Sequence, residues 1–205
     1  DYHLKQSAKH GYFKNARPKI KSDRIEYSFT NADVLHVPGD WNTQRDDLYY
    51  YEGTIWYKKD FHYVKKPGTR LFLYFGAANY HAIVYLNGEK IGEHTGGFTP
   101  FNFEITGKVR EGDNYVVAKI NNTRLREGVP TVNTDWWNYG GITRRVMLIE
   151  VPNTFIQDYM IQLQKGSENI IEGWIRLNGE KPNQKGSLSI AELKFKMPFQ
   201  TENGK

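Results

Sequence analysis

Apolar and polar residues alternate with a period of two along most of the chain, and Gly, Pro and Asn interrupt the alternation at short intervals. That pattern predicts strands joined by turns, with no convincing helix. Arg24–Thr30 reads as a strand. So does Thr54–Tyr63, where Ile55, Tyr57 and Lys59 alternate with Trp56, Lys58 and Asp60. Leu71–Ala78 is more continuously apolar and predicts a central strand buried on both faces. His81–His94 carries Asn87-Gly88 at its middle, and this pair suits the positive φ angles of a type I′ turn, so the segment predicts a hairpin. Phe101–Thr106, Tyr115–Asn121 and Thr143–Val151 bring the first part of the chain to about eight strands. Turns are expected at Lys66-Pro67-Gly68, Gly96-Gly97, Glu111-Gly112-Asp113 and Arg126–Pro130. Many short antiparallel strands with this punctuation define an all-β fold of sandwich or jelly-roll type.

Val151-Pro152-Asn153 predicts a junction, because proline commonly follows a strand end. Beyond it lie three strand candidates, Phe155–Gln164, Ile170–Leu177 and Gly186–Phe195. An immunoglobulin-like sandwich takes about seven strands in about 100 residues. Residues 153–205 are therefore expected to hold only part of a second β-sandwich. The organisation expected is a basic leader at 1–22, a sandwich at 23–152 and an incomplete sandwich at 153–205.

Composition narrows the possibilities. The chain has 205 residues, and a (β/α)₈ barrel takes about 250, so a barrel does not fit beside another domain. Aromatics reach 15% (14 Tyr, 11 Phe and 5 Trp), which favours strands. No apolar run approaches the ~18 residues of a membrane-spanning helix, so no membrane partner is expected. The opening Asp1-Tyr2-His3-Leu4-Lys5 has no apolar signal core. The chain has no cysteine, which excludes disulfides and thiolate chemistry without fixing a compartment. An extracytoplasmic location is preferred, and a cytoplasmic one stays open. The net charge is +5, and seven Lys/Arg against three Asp/Glu in residues 1–30 account for +4 of it. Basicity confined to a leader is not the basic face of a nucleic-acid binder, so no nucleic-acid partner is expected.

The screen for chemistry finds no phosphate loop, dinucleotide fingerprint or nucleophile elbow. The histidines at 3, 10, 36, 62, 81 and 94 show no metal-ligand spacing, so neither metal nor cofactor is expected; His81 and His94 are expected to face each other across the hairpin. Asp46-Asp47 and Glu111 with Asp113 lie in hydrophilic turns, unsuited to the paired, partly buried carboxyls of glycoside hydrolysis. Asn121-Asn122-Thr123 matches a glycosylation sequon at the level chance provides. One stretch differs: Asn133-Thr134-Asp135-Trp136-Trp137-Asn138-Tyr139-Gly140-Gly141-Ile142-Thr143-Arg144. An acid, an amide and three aromatics before a strand suit carbohydrate. Aromatic faces stack on sugar C–H faces, and carboxylates and amides bond vicinal hydroxyls. The structural alternative has Trp136 and Trp137 plugging the sandwich end and Asp135 capping the loop.

These segments together resemble the N-terminal sugar-binding domain of glycoside hydrolase family 2, β-glucuronidase and β-galactosidase type. The resemblance rests, in order, on Val37–Asn42, Gly53–Phe61, Leu71–Ala78, Val84–Gly88, Gly92–Phe101, Gly112–Asn114, Asp135–Arg144 and Val146–Leu148, and covers residues 35–152. It implies a jelly-roll (galactose-binding-like) sandwich, then an immunoglobulin-like sandwich, then a catalytic barrel whose two Glu residues act as acid/base and nucleophile. It therefore implies no catalytic residue in this chain, and no activity for these residues alone. It assigns substrate binding to Asp135, with Asn138 and Tyr139 as neighbours. Trp136, Trp137, Gly140, Gly141 and Arg144 become loop support. Gly140 departs from the small alanine-like residue of the nearest glucuronidases. Expected partners are a terminal β-linked sugar, the catalytic barrel and, through unpaired strand edges, a second copy. A free-standing carbohydrate-binding module and an adhesion or scaffolding sandwich are the alternatives.

Overall fold

The computed structural model of the protein describes Phe29, residues 32–179 and residues 183–204. The expected leader at 1–22, and all of the expected strand Arg24–Thr30 except Phe29, lie outside the described residues. Thirteen strands are formed among those described: β1 (Gly39–Asp40), β2 (Thr54–Tyr63), β3 (Thr69–Phe75), β4 (His81–Leu86), β5 (Glu89–Thr95), β6 (Phe101–Glu104), β7 (Gly112–Asn121), β8 (Gly141–Ile142), β9 (Val146–Pro152), β10 (Phe155–Leu163), β11 (Ile171–Asn178), β12 (Lys185–Ile190) and β13 (Phe195–Gln200). The only helical turns among them are single 3₁₀ turns at Asp46–Leu48 and Ala191–Leu193. The fold is all-β.

The described residues divide into two compact units. One comprises those up to Lys66 together with Leu71–Ile149, and the other comprises Pro67–Arg70 with those from Glu150 onward. In the first unit a four-stranded sheet, ordered β2-β7-β4-β5, faces a three-stranded sheet, ordered β6-β3-β9. Period-two patterning supplies the core between them. From the larger sheet come Tyr63, Ala82, Val84, Leu86, Val116, Ala118 and Ile120, and from the smaller come Leu71, Leu73, Phe75 and Phe101, all buried. Phe75 and Phe101 stack nearly parallel, 4.9 Å between centroids. A cavity of about 620 Å³ remains beneath Val34–Pro38, walled by Leu73, Phe75, Val116 and Ala118.

The outer face of the larger sheet is layered with aromatics and cations. Trp56 stacks on Tyr85 at 6.2 Å, and Lys119 Nζ lies 5.8 Å over the Trp56 ring. Burial there lowers the Lys119 pKa from its ordinary value.

Three expectations are corrected. β3 is central in its sheet, but only Leu71, Leu73 and Phe75 are buried; Phe72 and Tyr74 on its other face are half-buried, so it is not buried on both faces. His81 and His94 do not face each other. The β4–β5 register pairs Ala82 with His94, which puts His94 on the core side against Phe101 (4.3 Å) and His81 on the opposite face, where burial lowers its pKa. Gly186–Phe195 is not one strand: a 3₁₀ turn at Ala191–Leu193, closed by Lys194 at φ 51°, separates β12 from β13. The Asn87-Gly88 turn has φ values of 51° and 89°, the positive pair the sequence predicts.

In the second unit β10 pairs with β11 and β12 with β13. Each hairpin is amphipathic. The registers place Tyr159, Ile161, Leu163, Ile171 and Ile175 on one face of the first, and Leu188, Ile190, Phe195, Met197 and Phe199 on one face of the second. Most of these side chains are exposed, in contrast to the core of the first unit.

This contrast sets a stability prediction. Ile120→Ala removes a fully buried side chain and is expected to destabilise the protein by about 2–5 kcal/mol in urea unfolding. Ile156→Ala, at an exposed position, is expected to change it by roughly 0.5 kcal/mol or less.

Candidate carbohydrate site

The aromatic-acidic loop 133–140 is fixed through its backbone and through buried amides around it. Its anchor is the tip of β1 and the residues that follow. The backbone N–H of buried Trp41 donates to Gly140 O at 2.8 Å, and the Gly140 N–H donates to Asn42 Oδ1 at 2.9 Å. Asn42, also buried, donates through Nδ2 to Leu48 O at 2.9 Å and Tyr51 O at 3.0 Å, so one side chain joins two loops. Asn138 is buried in the same network. Its Oδ1 accepts from Asn79 Nδ2 at 3.0 Å, its Nδ2 donates to Asn122 O, and its own carbonyl accepts from Asn122 Nδ2 at 2.9 Å. Asn122 Oδ1 accepts from the Gly53 N–H at 2.8 Å. Buried amides hold only when paired, and these pair mainly with loop carbonyls and N–H groups that no strand ladder satisfies.

The two glycines permit the approach. A Cβ on Gly140 would lie 2.0 Å from Trp41 Cζ2 and 2.6 Å from Asn122 Nδ2. Gly141, at φ 140°, bridges to Asn79 and pairs with Asp40 in the β1–β8 ladder; a Cβ there would meet Gly39 O at 2.8 Å. The Tyr57 hydroxyl is packed close by, and burial pushes its pKa well above the ordinary value, so it stays protonated.

The loop presents its remaining side chains to solvent. Asp135 is exposed and makes no hydrogen bond or ion pair with any described residue. Trp136 is 58% exposed, Trp137 38% and Tyr139 46%. Trp136 therefore does not plug the sandwich end, and Asp135 does not cap the loop. Trp137 packs against Tyr49, Tyr50 and Tyr139, and Trp41, Asn42, Asn79 and Asn122 add the hydrogen-bonded support. Asn138, expected to face the sugar, has its amide engaged inside the fold, so Asp135 and Tyr139 are the two of the three that face outward. The Arg144 backbone N–H donates to Ala77 O at 3.4 Å, and its Nη1 to Phe98 O at 3.2 Å.

Two features beside the loop carry no local signal in the sequence. Tyr49 and Tyr50 lie against Trp137, with centroids 4.9 and 5.7 Å away, and Arg124 Nε pairs with Glu52 Oε1 at 2.9 Å. Their partners come from distant parts of the chain. Asp46 and Asp47 lie in an exposed 3₁₀ turn as expected, whereas Asp113, expected in a turn, lies in β7 opposite His62. Asp47 pairs with Arg45, whose hydrogen bond lowers its pKa, while Asp113 meets His62 at 2.9 Å and Glu111 accepts from the Lys65 N–H. Among the described residues no group of three His, Asp or Glu is placed to hold a metal ion.

The sequence model of the glycosyl hydrolases family 2 sugar-binding domain matches residues 10–152, and the chain belongs to that family. Over 167 residues it is 31% identical to a β-galactosidase of Thermoanaerobacter pseudethanolicus, covering 76% of this chain and 22% of that protein. Over 155 residues it is 33% identical to a β-glucuronidase of Formosa agariphila, covering 66% of this chain and 16% of that protein. The chain thus spans about a fifth of the length of these relatives. Its fold matches the Ruminococcus gnavus β-glucuronidase structure with a TM-score of 0.76 and 24% identity, covering 95% of this chain and 33% of that one.

Gly140→Ala tests the anchor. The added methyl must displace Trp41 or Asn122, and a loss of roughly 1–3 kcal/mol is expected in thermal unfolding, with a changed near-UV tryptophan signal.

Proposed function

We propose that this chain is the sugar-site support of a retaining exo-β-glycosidase, acting together with a catalytic barrel that supplies both carboxyl groups of the reaction. On this reading residues 23–152 are the jelly-roll sugar-binding domain and residues 153–205 the incomplete immunoglobulin-like sandwich. Asp135 accepts a hydrogen bond from a hydroxyl of the terminal β-linked sugar, and Tyr139 flanks it. One observation carries the assignment: Asp135 is an exposed carboxylate without a partner among the described residues, on a loop whose backbone is held rigid by buried amides. A group so placed is preorganised for a ligand that comes to it. The relatives named for glucuronide and galactoside hydrolysis support both sugars, and the choice between them falls to the barrel.

Asp135→Ala in the polypeptide that joins these residues to the barrel is expected to lower kcat/KM on β-glucuronides or β-galactosides by roughly 10–100-fold, the loss of a hydrogen bond to a charged group, and Asp135→Asn, which keeps an acceptor but no charge, by less. An unchanged kcat/KM removes the assignment. The 205-residue chain alone is expected to release no nitrophenol from nitrophenyl β-glycosides.

The second unit supports a further association. Among the described residues its hairpins carry edges with no strand partner and exposed apolar faces, and such features favour pairing with another copy of the chain. Light scattering of the 205-residue chain is expected to give a dimer or larger, and a clean monomer at high concentration counts against this pairing.

A further inference from the structure

We propose that Tyr49, Tyr50 and Trp137 form a shelf that binds one pyranose ring, separate from the contact made by Asp135. The inference rests on the carbohydrate reading of this loop but not on the role of Asp135.

The shelf is open and rigid at once. Tyr50 is 83% exposed and Tyr49 44% exposed beside Trp137, so three large rings meet solvent at one place. Their planes are tilted rather than stacked: Trp137 makes 44° with Tyr50 and 54° with Tyr49. Tyr49 and Tyr50 meet edge to face, 4.8 Å between centroids at 85°, so the three rings brace one another while Tyr50 keeps most of its surface in solvent, and an exposed aromatic cluster of this kind marks a binding site. Asn42 holds the carbonyls on both sides of Tyr50, and Asn138, the residue after Trp137, is locked in the buried amide network. Both parts of the shelf are thus positioned before any ligand arrives, which lowers the entropic cost of binding.

A cavity of about 150 Å³ lies beside the rings, with Glu52 and Arg124 in its wall. It is about half the ~300 Å³ at which pockets begin to enclose drug-sized ligands, so it suits one ring and not a chain. Glu52 and Arg124 neutralise each other through Oε1 and Nε, which disfavours a small anion. The pair still offers a carboxylate acceptor next to guanidinium donors, a match for adjacent hydroxyls that each donate and accept. Aromatic faces for C–H groups and an ion pair for vicinal hydroxyls together describe a sugar ring. An aromatic leaving group would use the rings alone.

The test is a titration of the 205-residue chain with methyl β-glucopyranoside, methyl β-galactopyranoside and methyl β-glucuronide, followed by tryptophan fluorescence and by backbone amide NMR. At least one glycoside is expected to saturate in the millimolar range, with shifts at Tyr49, Tyr50 and Trp137. Tyr50→Ala is expected to weaken it about 2–10-fold, the value of one aromatic contact, with the fold intact by far-UV circular dichroism, since Tyr50 is exposed. Tyr159→Ala, an exposed ring of β10 in the second unit, is expected to leave it unchanged. Saturation by none of the three, saturation untouched by Tyr50→Ala, or saturation by 4-nitrophenol but by no glycoside overturns the proposal. Asp135 is judged separately, by hydrolysis in the longer polypeptide, so failure of one reading is distinguishable from failure of the other.

Discussion

Everything distinctive about the sandwich end depends on the contact of Gly140 with Trp41 and Asn42. A backbone segment lies against the face of a buried indole, closer than any side chain permits, and exchanges hydrogen bonds with two adjacent residues. That contact fixes where β8 can pair with β1. It also brings Asn138 within reach of Asn122 and Asn79, and these amides close the network. Loops at the end of a sandwich are ordinarily its most mobile part. Here the loop is tied at several points to buried groups, and Asp135, Trp136 and Tyr139 are among the side chains left facing outward.

Most of the sandwich was legible in the sequence because its information is local. Alternation located β2 to its observed ends, Asn87-Gly88 located the β4–β5 turn, and Gly/Pro punctuation located the other long strands within a few residues, while the two-residue β1 and β8 went unpredicted. The failures have a common cause. Which face His94 occupies is set by a register shift between Val84 and Tyr85, which no periodicity reports. β13 contains Pro198, which depresses a strand reading, yet it pairs at the edge of a two-stranded hairpin, where a missing N–H is tolerated.

The site was legible in kind and only partly in detail. Asp135, Trp137 and Tyr139 stood out because their chemistry is concentrated in one short stretch. The division of labour did not stand out. Asn138 looks as available as Asp135 in the sequence, and burial alone separates them. Asn42, Asn79 and Asn122 are isolated amides in three different segments. Tyr49, Tyr50, Glu52 and Arg124 acquire meaning only when β2 and β7 pair and bring Gly53 beside Asn122.

The wiring of this loop has an evolutionary consequence. Its hold on the scaffold runs through carbonyls and N–H groups, through two glycines, through Asn138 and through Trp137 packed on Tyr49 and Tyr50, while Asp135 and Trp136 contribute little to that hold. These two can therefore be exchanged without dismantling the frame beneath them. Mutational drift at Asp135 and Trp136 carries a small folding penalty, which makes this part of the loop an interchangeable cassette on an architecture that stays constant.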